Sequence, residues 1–343
     1  MTSPPLAVLR SGLVTSVGLT APDTCAALRA RITNPVQTGF MSADGERMMA
    51  HQVPLPRPWR GLRKLARMAA MAIEEAVSTM ASGDRARLPL LLCVAEADRP
   101  GRTEGLDDRL FGMVCDEVGT RFAATSAVIA AGRVGVAIAL AQARQLLAQG
   151  RHASVVIAAT DSLLAWPTLR VLQQQDRLLS AANPNGLIPG EAAGALLVGA
   201  AGGQQAQLLC TGIGFGQEPA PIGSERPLRA DGVTEAVRAA LRDAGWGMHD
   251  TAFRISDMSG EQYYFKEAAL ALSRLLRVRK EEFDLWHPAE CIGETGAAGG
   301  TAMLAAALAA CEKGYAKGPR FLAHAANDAG QRAAIALRHG AAA

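Results

Sequence analysis

The sequence predicts an α/β protein made of two similar halves, and two observations carry that prediction. Short apolar runs of strand length alternate with segments of helical spacing along the whole chain. In addition, each half contains one Ala-rich helical segment so apolar that neither of its faces suits water. Two stacked βαβ layers with those helices buried between them satisfy both.

In order, residues 6–17 read as a buried strand, and a turn over 18–22 leads into a capped helix over 23–31. Residues 62–80 place Leu62, Leu65, Ala69, Ile73 and Val77 on one helical face, and 88–95 form an apolar strand covered on both sides. The run 123–131 passes at Gly132 into the first Ala-rich helix, which stops at Gly150, and 154–159 resume as strand. Residues 173–189, rich in Gln, Asn and Pro, read as a loop before the strand 195–198. The glycines at 202 and 203 mark the boundary, giving halves 1–203 and 204–343. The second half repeats the pattern. It has a strand from 207, a helix over 232–244, a strand over 253–257 and a helix over 262–276. The second Ala-rich helix, 296–311, follows, and strands over 321–325 and 333–337 complete it.

At 343 residues, with 49% hydrophobic and 20% charged side chains, the chain can bury large cores and is globular. The net charge of +3 is spread along the sequence, so nucleic acid is not a partner. The densest basic stretch, residues 57–67, reads as a solvated helix face and its lead-in. Six scattered cysteines form no CxxC and no metal-ligand spacing, and neither a metal nor a cofactor is called for. With no signal peptide and no apolar run long enough to span a bilayer, the expected compartment is the cytoplasm. The run at 212–216 (GIGFG) lacks phosphate-loop spacing and reads as a tight turn, and His152 and His324 read as satisfied structural histidines.

Five blocks in register resemble the β-ketoacyl-acyl-carrier-protein synthases of the thiolase superfamily. They are 9–18 (LRSGLVTSVG), 129–150 with 153–161 (ASVVIAATD), 189–198 (PGEAAGALLV), 239–245 (AALRDAG) and 293–299 (GETGAAG). The resemblance implies a five-layered α-β-α-β-α thiolase fold. It also implies acyl transfer through a Cys thiolate at the start of the buried helix, assisted by two His. Here Arg133 stands at the nucleophile position, in AGRVG (131–135). Ser259, in SDMSGE (256–261), takes the first His position, and Glu294 takes the second His or Asn position. The family's oxyanion loop corresponds to 326–330 (ANDAG), with Asn327, Asp328 and Gly330.

The catalytic set is therefore expected to be absent. The chain is expected to act by binding, as a partner subunit, adaptor or chaperone for a protein client, an acyl-carrier protein or an acyl ligand. The alternative is an acyltransferase of altered mechanism, with Cys291 as displaced nucleophile and His287 as its base. In this fold the strand before the nucleophile turn pairs with its copy across a dimer. The uncharged run 123–131 thus implies a homodimer, or a heterodimer with a related chain.

Overall fold

A computed structural model describes residues 4–42 and 45–342. The first half runs β1 (Leu6–Val14), α1 (Ala21–Arg29), β2 (Val36–Met41), β3 (Arg47–Ala50), α2 (Gly61–Ala76), α3 (Ser82–Arg85), β4 (Leu90–Val94), α4 (Leu110–Val118), β5 (Ala127–Ala130), α5 (Gly135–Ala148), β6 (Ser154–Ser162), α6 (Trp166–Gln174) and β7 (Glu191–Ala200). The second runs β8 (Gln207–Gln217), α7 (Asp231–Ala244), β9 (Phe253–Ser256), α8 (Gln262–Leu275), β10 (Leu285–Trp286), α9 (Ala289–Ile292), α10 (Gly299–Glu312), β11 (Arg320–Ala326) and β12 (Gln331–Gly340).

The strands lie in the order β5-β4-β6-β7-β1 in the first half and β10-β9-β11-β12-β8 in the second. Each half has the same pattern of two parallel then two antiparallel pairings. A short antiparallel contact of Leu6–Val8 with Leu208–Cys210 joins them edge to edge. The central core contains Leu91 and Ile157 of the first half, Phe253 and Ile335 of the second, and Leu140 and Leu304 of α5 and α10. Those two helices form the middle layer. The outer faces are covered by α2 and α4 on one side and by α7 and α8 on the other, which completes five layers. With helices on both faces, β4 (LLLCV) is apolar at every position and wholly buried.

Several expectations need correction. The GIGFG run is not a turn but part of β8. Its three glycines let α7 lie directly on the strand, since a Cβ at Gly212 or Gly214 would sit 2.1 Å from the Ala240 or Ala236 carbonyl oxygen. The run 123–131 is strand only over Ala127–Ala130. The loop 173–189 begins as α6 and then folds back on itself through a Leu178–Leu187 bridge. His324 is not satisfied. Its Nδ1 is buried without a hydrogen-bond partner, and burial pushes the ring well below the usual histidine range. The six cysteines are free thiols. Arg57, Arg60 and Arg63 are exposed on the lead-in and face of α2, while Arg67 reaches Glu117 at 3.4 Å.

Candidate functional site

Both central helices begin alike. A 3₁₀ turn, Gly132–Val134, precedes α5 and another, Gly296–Ala298, precedes α10. Gly132 and Gly296 take left-handed φ of 53° and 54°, and a Cβ at either would lie 2.1 Å from a carboxylate oxygen, of Glu96 and Asp161 respectively. The Arg133 amide donates to Asn327 Oδ1 (2.9 Å), and the Ala297 amide donates to Asp161 Oδ2 (2.8 Å). Two equivalent helix starts are thus held side by side, one presenting Arg133 and the other Ala297.

The Arg133 side chain is buried. Its guanidinium donates to Glu294 Oε2 (3.3 Å), Asp328 Oδ1 (2.5 Å) and the Tyr264 hydroxyl (2.6 Å), and its Nε lies 3.8 Å from Asp257. It also packs over the Tyr264 ring at 4.6 Å. Burial opposes the charge, but Tyr264, Glu294 and the two aspartates outweigh it and keep Arg133 firmly protonated. Glu294 serves two ends of this arrangement. Besides Arg133, it accepts the Ser259 hydroxyl (2.7 Å) and the Gly296 amide (2.8 Å), so the ion-pair partner of Arg133 is also a cap on the second turn. Burial pushes its carboxyl up to about 7, although Arg133 pulls the other way. Asp257 is raised by burial as well. Asp328 is held low because Arg133 and Arg177 together overcome its burial.

Around this hub the charges continue. Arg177 binds Glu261 through two hydrogen bonds of 2.7 and 2.8 Å and reaches Asp328 at 2.6 Å. Arg99 bridges Glu96 (2.7 Å) and Asp161 (2.8 Å). The network floors an open cleft of about 830 Å³, whose lining also includes the apolar Leu163, Val171, Leu172, Leu187 and Ile222. Two small spaces beside the floor, one lined by Arg133 and His324 and one by Asp257 and Glu294, are each about 10 Å³. Neither exceeds one water in size. Among the described residues no His, Cys, Asp or Glu cluster is arranged to hold a metal.

The structure therefore brings Arg133, Ser259, Glu294, Asn327 and Asp328 together. Gly330 takes φ 98° and spends its amide on Asn327 O within the turn between β11 and β12. Cys291 lies apart, packed with Leu13, Cys25, Ala302 and Ala305, and burial pushes its thiol up to about 11. His287 stands edge-on to Phe265 with its Nδ1 3.6 Å from Glu290. Sequence reasoning missed Tyr264, Arg177, Glu261, Asp257, Arg99, Glu96 and Asp161. The signal for Asp161 was present: aligned on the internal repeat, it stands next to last in β6 as Asn327 follows β11.

No family model and no curated protein sequence matches this chain. In three dimensions it is similar to a chain of the AntDE:AntF complex, a type II polyketide acyl-carrier protein with its ketosynthase. The TM-score is 0.78 at 14% identity, over 98% of this chain and 99% of that one. It is similar to a chain of the ketosynthase ApeO with its chain length factor ApeC from Xenorhabdus doucetiae, with TM-score 0.75 and 12% identity over 99% and 98% of the two chains. The ishigamide ketosynthase/chain length factor gives 0.70 and 19% over 98% and 99%. The protein has the thiolase-type ketosynthase fold.

Proposed function

We propose that this ketosynthase-fold chain works by binding rather than by acyl transfer, as a partner subunit or adaptor for another protein. One observation carries the reading: a buried arginine, pinned by three hydrogen-bonding side chains, fills the position that the resemblance gives to the nucleophile. A guanidinium held permanently charged cannot attack a thioester. The two small spaces beside it, each about 10 Å³, do not accommodate an acyl chain. Ser259 donates its proton to Glu294 and takes no His-like base role. The alternative nucleophile fares poorly, since the Cys291 thiol is buried in an apolar cluster, where burial and Glu290 raise its pKa and the pull of Arg31 does not offset them.

The partner surface is the β5 edge. Ala127, Val128 and Ala130 are half-buried in the single chain, as are Ile138, Ala141 and Gln142 on the adjoining α5. Such an edge carries no charge against pairing. The solved relatives include a ketosynthase in complex with its chain length factor, and we infer pairing of the same kind here, with a second copy or a related chain. The halves are 1–203 and 204–343, and the compartment is the cytoplasm. Among the described residues no helix is long and apolar enough to cross a membrane.

Intact-protein mass spectrometry after incubation with an acyl thioester and with acylated carrier protein tests the reading. No adduct is expected, and a stoichiometric acyl adduct on any residue overturns it.

A further inference from the structure

The charge count of the cleft is unequal. Six carboxylates line it (Glu96, Asp98, Asp176, Glu261, Glu294 and Asp328) against three guanidiniums, those of Arg99, Arg133 and Arg177. Asp161 and Asp257 lie buried against this floor, within reach of Arg99 and Arg133. Each guanidinium is already committed to carboxylates of the network. No cation is left over for a phosphate or for a second carboxylate, although the chain as a whole is basic, with net charge +3. The cleft is thus short of positive charge in a molecule that has an excess of it elsewhere. A buried floor with surplus carboxylate must take up a proton or a cation.

The shape adds a second requirement. Part of the lining is apolar, with the half-buried Val171 and Ile222 beside the buried Leu163, Leu172 and Leu187, and the volume of about 830 Å³ is large for a simple ion. Asp98 and Asp176 are exposed and, among the described residues, have no ion-pair partner. A guest that satisfies the half-buried apolar lining, the floor and these two acids together has alternating apolar and cationic groups and extends beyond the floor.

We infer that the cleft receives a lysine- or arginine-bearing peptide segment of a protein partner, with apolar side chains against the half-buried Val171 and Ile222 and cations over the carboxylates. This rests on the non-catalytic reading and specifies the partner's chemistry. The same charge surplus disfavours anionic, phosphate-bearing thioesters. A peptide cation supplies the positive charge that the floor lacks.

The test uses the full-length protein and three fluorescein-labelled hexapeptides with the same three leucines, alternating with Lys, Gln or Glu. Anisotropy is expected to show the Lys peptide binding about tenfold more tightly than the Gln peptide, with the advantage shrinking at high salt, and the Glu peptide not binding. The double variant Asp98→Asn/Asp176→Asn removes two exposed charges, and Asn tolerates the left-handed φ of 50° at position 176. It is expected to weaken the Lys peptide about fivefold with the melting temperature unchanged, because the positions are exposed. Equal affinity for the Lys and Gln peptides, no binding at millimolar peptide, or an unaffected double variant overturns the inference. Displacement of the Lys peptide by hexylamine at equal concentration overturns it in favour of a free amine. Failure of the peptides with no acyl adduct on the protein leaves the non-catalytic reading standing, whereas an adduct removes that reading itself.

Discussion

Replacing Arg133 by Met keeps most of the side chain's volume and removes its charge, so the variant measures what the guanidinium holds in place. Asp328, Glu294 and Tyr264 lose a donor, and Asp257 loses its nearest cation. Removing one partner from a buried ion pair typically costs about 3–5 kcal/mol. The structure puts the cost at the lower end, since each stranded carboxylate keeps another donor. Asp328 retains Arg177, Glu294 retains Ser259 and Gly296, and Asp257 retains the Ala326 amide. A loss of about 3 kcal/mol at pH 8 is expected. The sign of its pH dependence follows from linkage. Without Arg133 the carboxyls of Glu294 and Asp257 are pushed further above their unfolded values, so they favour the folded state at low pH and oppose it as pH rises through their folded pKa. The deficit therefore shrinks towards about 1 kcal/mol near pH 5.5. Urea unfolding of both proteins from pH 5.5 to 8 measures this. A loss below about 1 kcal/mol at pH 8, or a deficit that grows on acidification, would refute the buried hub.

Four further outcomes are expected. Glu294→Gln abolishes the part of the stability lost between pH 4.5 and 7 that comes from ionising a carboxyl raised to about 7; an unchanged pH–stability curve contradicts this. Gly214→Ala forces a Cβ to within 2.1 Å of Ala236 O and should cost about 1–3 kcal/mol or more, whereas Gly202→Ala, with open space around it, should change thermal stability by less than about 0.5. Val128→Pro removes an amide from the β5 edge, so light scattering should show the dimer mass halving; a wild-type monomer at micromolar concentration would refute the assembly itself. In a native alkylation time course, half-buried Cys115 should react before the buried Cys291, and peptide mass spectrometry showing the reverse order would reopen the alternative nucleophile.

The layers were legible because burial on both faces leaves continuous apolar runs, as in β4, and because Gly150 and Gly245 mark where α5 and α7 end. The hairpin of β2 and β3 was not. Its buried positions, Thr38, Met48 and Ala50, are few and weakly apolar, and it covers the surface without building a core. α4 buries only Leu110 and Val114, too little for its periodicity to stand out. At the site, Arg133 and Glu294 were legible because each sits at a fixed offset from a helix start. Tyr264, Arg177 and Arg99 were not, because they reach the floor from α8, the segment after α6 and the loop after β4, and no local spacing links those segments.

The position of α10 also governs how the chain can be made. It packs against β1, β6 and β7, and its Ala302 and Ala305 sit on Leu13, at the opposite end of the sequence. A ribosome delivers β1 early and α10 late, so the part of the first sheet's inner face that α10 covers, over β1 and β7, stays open through most of synthesis while α5 already lies on β4 and β6. That interval exposes an apolar surface and an unpaired β8-facing edge, the conditions under which nascent chains aggregate or recruit holding factors. The two halves resemble each other as repeats, but the first cannot finish folding before the second has almost been completed.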